Sequence, residues 1–146
     1  MMIPAAFSEE VGSGSVLIEK KPEGVTKVSV SWTSNVSGAV RIHIDTPIVG
    51  RPHMLRTKPS QTSAPTDLYD ITWEDSLGRD ILDGQGMNRS TSTVQEIPVY
   101  VQDTTNAAAI IDVDGPTVFK VANAGGAKSG TAVLWLKDKD FLLTRI

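Results

Sequence analysis

The chain contains no cysteine, which excludes disulfides, thiolate metal sites and the commonest nucleophile of small redox proteins. Packing alone must hold it together. Histidine is nearly absent too. The two that occur, His43 and His53, have no partner at metal-ligand spacing, so both read as surface or interface residues and no metal centre is expected. No window approaches the roughly 18 continuous apolar residues of a membrane span. The opening MMIPAAFSEE lacks a cationic start followed by an apolar run, so no secretory leader is expected and synthesis in a cytoplasm is the simplest expectation. Positive charge is not in excess: 14 basic against 17 acidic residues give a formal charge of -3. That removes any broad attraction to nucleic acid or to an anionic membrane.

The 146 residues, 40% hydrophobic and 21% charged, are those of one globular domain able to bury its own core. Their organisation shows best between Pro65 and Arg89, PTDLYDITWEDSLGRDILDGQGMNR. Tyr69, Ile71 and Trp73 alternate there with Asp70, Thr72 and Glu74, a period of two that puts three large apolar groups on one sheet face. The turn Asp75 to Gly78 then predicts a hairpin, with Arg79 to Leu82 returning as a short second strand.

The same period recurs along the chain. Val16 to Lys20 reads as a short strand and Pro22-Glu23-Gly24 as a turn. Val28, Val30 and Trp32 then face one way, and Val40, Ile42 and Ile44 do the same after a turn at Asn35 to Gly38. Thr46 to Ala64 holds Pro47, Pro52 and Pro59 without a period and predicts a long loop. Asp83 to Thr93 is a second irregular stretch. Ile97, Val99 and Val101 mark a strand whose Pro98 suggests an edge or a bulge. Ala107 to Val113 fits either a helical turn or a strand. Pro116 to Ala122 and Thr131 to Lys137 are strands flanking a glycine-rich hairpin loop. Ala132 to Leu136, apolar on both faces, reads as a central or interface strand.

About eight short strands and no convincing helix predict an all-β protein, an antiparallel β-sandwich of jelly-roll or Greek-key type with extended terminal arms. The boundaries are an N-terminal arm 1–15, a sandwich 16–137 and a C-terminal segment 138–146. Val30, Trp32, Ile42, Ile71, Trp73, Val121 and Trp135 are expected in one core.

Few motifs carry chemistry. The run GGAKS at Gly125 to Ser129 has Ala127 before Lys128 and a strand after it, so it fails the phosphate-loop pattern. Asp75, Asp80 and Asp83 miss the spacing of a calcium loop and read as turn carboxylates. No nucleophile-elbow sequence occurs. The triplets at Asn35 and Asn88 mean nothing without a secretory route. No catalytic residue, cofactor, nucleotide or metal is expected, and the chain does not read as an enzyme.

The block PTDLYDITWEDSLGRDIL, then GQGMNRS, then late strands separated by NAGGAKSG, resembles a family of small structural proteins of tailed bacteriophages, over roughly Val25 to Lys137. The resemblance implies a virion component, above all a capsid decoration, or cement, protein on the outer capsid surface. A tail or connector structural protein, or a host- or carbohydrate-binding module, is the alternative. Its partners would be the major capsid protein and copies of itself, as a dimer or trimer. Function would then reside in packing surfaces: the arm with Ile3 and Phe7, the stretch with Arg51, His53, Arg56 and Lys58, and the carboxyl-terminal Phe141 and Leu142. Apolar groups that build no element of their own are naturally buried against a neighbour.

Overall fold

A computed structural model describes residues 10–99 and 111–138. Seven strands run through them: β1 (Ser13–Lys21), β2 (Val25–Thr33), β3 (Val40–Pro59), β4 (Asp70–Glu74), β5 (Gln95–Pro98), β6 (Val113–Ala122) and β7 (Ser129–Lys137). Every pairing between them is antiparallel. The hydrogen-bonded order is β1-β2-β7-β3-β6-β4, with β5 paired to β3.

The twenty-residue β3 joins two layers. Its first half, Val40 to Gly50, pairs with β6, whereas Arg51 to Pro59 pairs with β7 and Met54 to Thr57 with β5. One layer is therefore β4-β6-β3 and the other β1-β2-β7-β3-β5. Their inner faces share a single core. Val28, Val30 and Trp32 come from one layer, Ile42, Ile71, Trp73 and Val121 from the other, and all are buried. Trp32 and Tyr69 meet across it with ring centroids 5.6 Å apart. The protein is an antiparallel β-sandwich.

The predicted loop Thr46 to Ala64 is thus strand as far as Pro59. Its period is hard to see because the buried set includes Gly50, Thr57 and Pro59 beside Ile48 and Leu55. Two register shifts, between Ile44 and Ile48 and between Pro52 and Met54, add a second disguise. A proline cannot donate to a ladder, so Pro47 and Pro52 sit at these irregularities, which bend the strand from one layer to the other. Gly50, at φ 140°, lies at the bend, where a Cβ would approach the Lys137 carbonyl oxygen to 3.0 Å. Before β1 the chain bonds to the first half of β3 through Val11, whose amide and carbonyl pair with those of Arg41 at 3.1 and 2.8 Å. Ser13 to Ser15, placed in the arm from sequence, belong to β1.

The predicted return strand Arg79 to Leu82 is also absent. A single bridge joins Glu74 and Asp80, and the chain then coils so that Ile81 and Leu82 are wholly buried. Two adjacent inward apolar residues are incompatible with an extended strand, where neighbours point oppositely. This loop instead covers the outer edge of β4. The Ile71 amide donates to the Gly86 carbonyl at 2.8 Å and the Ile81 amide to the Trp73 carbonyl at 2.7 Å. Asp80 fastens it, accepting from the amides of Trp73, Leu82 and Gly84 at 3.0, 3.1 and 3.0 Å.

Asp80→Ala should therefore lose about 2 kcal/mol, because three amides forfeit an ionised acceptor at once. The midpoint of urea unfolding reads this, and an unchanged midpoint would show that the loop is held otherwise. Asp75 has a similar duty. Slight desolvation pushes its carboxyl up, but bonds from the Arg79 and Leu77 amides and the Arg79 guanidinium outweigh it and leave the pKa below its usual value.

Candidate partner-binding face

The pairing register lays out the outer face of the five-stranded layer row by row. Glu19, Lys27, Trp135, Met54 and Pro98 lie side by side across β1, β2, β7, β3 and β5; the next row is Leu17, Ser29, Val133, Arg56 and Glu96. Trp135 therefore stands on the outside, partly buried, rather than in the core expected from sequence. Ala132, Leu134 and Leu136 are the inward set of β7, and alternation sends the residues between them outward.

Cations flank this indole. Lys27 Nζ is 5.7 Å from a ring centroid and the Arg56 guanidinium carbon 5.1 Å, within the range of cation–π attraction. Each cation also has a carboxylate. Arg56 Nη2 lies 2.6 Å from Glu96 and Lys27 Nζ 3.9 Å from Glu19. Both pairs are partly exposed, so they hold side chains in place more than they add stability. The result is an aromatic and thioether centre, Trp135 with Met54, inside a charged rim. Such a surface buries readily against another protein.

Of the partner residues expected from sequence, Arg56 and Lys58 stand on this face. Lys58 is exposed and forms no ion pair among the described residues. Arg51, opposite Lys137, continues this face one row beyond Trp135, across the irregularity at Pro52 from Arg56 and Lys58. Arg51 Nε bonds Asp112 Oδ1 at 2.7 Å. His53 is the extra residue of the irregularity, and partial burial and then the Lys137 ammonium hold its imidazole below the ordinary pKa. Ile3, Phe7, Phe141 and Leu142 lie outside the described residues.

Sequence reasoning missed Trp135, Lys27, Met54 and Glu96. A signal existed for the first: polar Thr131 and Lys137 share its parity in TAVLWLK, whereas its neighbours Leu134 and Leu136 do not.

At one end of the face a groove of about 660 Å³ is lined by Ser15, Ser31, Thr33, Lys58, Gln61 and Thr131, among others. The Trp32 indole lies beneath it; a Cβ on Gly130 would come within 2.8 Å of that ring. Among the described residues no three histidine, aspartate or glutamate side chains are grouped to hold a metal ion.

No family model and no curated protein matches the chain. Among solved structures it is similar, loosely, to the capsular polysaccharide assembling protein CapF from Staphylococcus aureus, with 13% identity over 88% of this chain and 30% of that one, at a TM-score of 0.27. A structure of CapF with the inhibitor 3-isopropenyl-tropolone gives 12% identity, 86% and 32% coverage, and 0.26. The chain spans about a third of the length of these proteins. So loose a likeness carries no argument about fold or function.

Proposed function

We propose that this chain is a non-enzymatic structural protein of a tailed-bacteriophage virion, a decoration protein that binds and stabilises the outer capsid lattice. The observation that carries the reading is the outward Trp135 between Lys27 and Arg56, in the middle of a sheet face where a monomer has no use for it. The partner is the major capsid protein, met through an apolar contact bordered by carboxylates that the exposed Lys58 and the rim cations can pair. Neither nucleic acid nor membrane takes part. Many such contacts repeated over a shell act together, so each need only be weak. A tail or connector position uses the same face differently.

Mass spectrometry of purified particles, with localisation by electron microscopy, separates these readings. Presence on the head surface supports decoration, presence on the tail moves the chain there, and absence from particles overturns both. Trp135→Ala is the finer test. Its side chain lies outside the core, so thermal stability should change little, while affinity for particles should fall at least about thirtyfold, as for an aromatic anchor at an interface. Full occupancy by the variant would remove this face from the contact.

The hydroxyl-lined groove favours a second reading, a carbohydrate-binding module, with Lys58 taking an acidic sugar. The Trp135 ring does not serve it, because two cations already lie against the indole. Chemical shift changes confined to Ser31, Lys58 and Thr131 on adding acidic oligosaccharides would move the assignment in that direction.

A further inference from the structure

The four outer edges of the two layers are treated very differently. The edge of β4 is covered by the loop that Asp80 fastens. The first half of β3 is covered by Val11 and by Glu10, whose carboxylate accepts the His43 amide at 3.0 Å. β5 is only four residues long and contains Pro98, both common ways of blunting an edge. β1 has none of these protections. It is nine residues long and, among the described residues, pairs only with β2, so its other side presents a row of unpaired amides and carbonyls. Leu17 sits at its middle with 58% of its surface exposed. Val16 and Ile18, on the opposite face, are only partly buried at the margin of the core.

We infer that β1 is a dimerisation edge, pairing antiparallel with β1 of a second copy about a two-fold axis at Leu17. The strand SGSVLIEKK is self-complementary in that register. Leu17 meets the partner's Leu17, Val16 faces the partner's Ile18, Glu19 faces the partner's Ser15, Lys20 the partner's Gly14, and Lys21 the partner's Ser13. No like charges stand opposite, and the apolar residues gather at the axis, where cross-strand pairs stabilise most. Moving the axis to Glu19 or Lys20 sets carboxylate against carboxylate or ammonium against ammonium, so charge disfavours those registers, and the axis at Leu17 pairs the whole strand with no residue left over. The contact is isologous and closes at two chains, leaving only the short β5 edges at the ends of a ten-stranded layer.

This inference rests on the edge alone and stands whether or not the chain binds a capsid. Together with that proposal it has a consequence: the two Trp135 patches lie on one continuous face, five strand spacings apart across the strands and four residues apart along them, about 28 Å in all. A dimer would then engage its lattice bivalently.

Sedimentation equilibrium on the isolated chain tests it. At about 50 µM, above the micromolar affinity of a weak standard-sized interface, the chain should sediment at twice its 15.7 kDa mass. Leu17→Lys and Leu17→Glu each place like charges on the axis at an exposed site, so each should stay folded with dimer affinity reduced at least about tenfold. Mixing the two variants should restore a dimer, since lysine then faces glutamate. A monomeric or trimeric wild-type chain, or a dimer indifferent to both substitutions, overturns the inference. A dimer that forms normally while the chain is absent from particles overturns only the capsid proposal.

Discussion

Trp73→Ala is expected to lower the unfolding free energy by about 3 to 5 kcal/mol, the range for emptying a large aromatic site in a core. The side chain is wholly buried. Its ring packs edge-on against Phe119, with centroids 5.0 Å apart and planes at 78°, and its Nε1 donates to Thr117 Oγ1 at 3.0 Å. Alanine would leave a cavity between β4 and β6 and a buried threonine hydroxyl without its partner, and the two costs add. For a chain of this size the melting temperature should drop by roughly 10 °C. Trp73→Phe, which keeps much of the volume but not the hydrogen bond, should fall between the two. The contrast with Trp135→Ala is the sharper check. A similar loss at both tryptophans would contradict the outward placement of Trp135.

Alkaline pH should destabilise the protein through Tyr69. Burial raises the pKa of its phenol to about 12 from 10.0, against smaller lowering effects of Thr57 and the Arg89 guanidinium. The folded state therefore holds a proton that the unfolded chain releases earlier. Stability from this source is fully present below pH 10 and is lost as pH rises from 10 to 12, by about 3 kcal/mol in all. Tyr69→Phe abolishes that loss. The variant should stay within about 1 kcal/mol of the wild type at neutral pH, because the buried Tyr69 hydroxyl lies beside the Thr57 side chain without a hydrogen bond of good geometry. Urea unfolding at pH 7, 10 and 11.5 measures both effects. An alkaline decline equally steep in the phenylalanine variant would assign it to other groups.

Local pattern was a sound guide wherever a strand stays in one layer and alternates cleanly. Val28, Val30 and Trp32, and likewise Tyr69, Ile71 and Trp73, are buried as their two-residue period predicts, because pleating alone decides which side chains share a face. Pro98 was legible for the same reason: a residue without an amide proton is tolerated on an edge, and β5 is one. Three prolines in β3 misled because bulges absorb Pro47 and Pro52 and the strand ends at Pro59. A bulge is visible only when the partner strand supplies the register, and the partners of β3, β6 and β7, lie far along the chain.

The sequence by itself determined an all-β chain, the faces of the strands that alternate cleanly and the identity of most of its core, since these follow from side-chain size and alternation over a few residues. Only the tertiary structure decided which edges are covered, that β3 serves both layers, and that Trp135 stands outside among Lys27, Arg56 and Glu96. Those are pairings between segments remote in sequence, fixed by backbone hydrogen bonds that every residue but proline can make and that leave little mark on residue type.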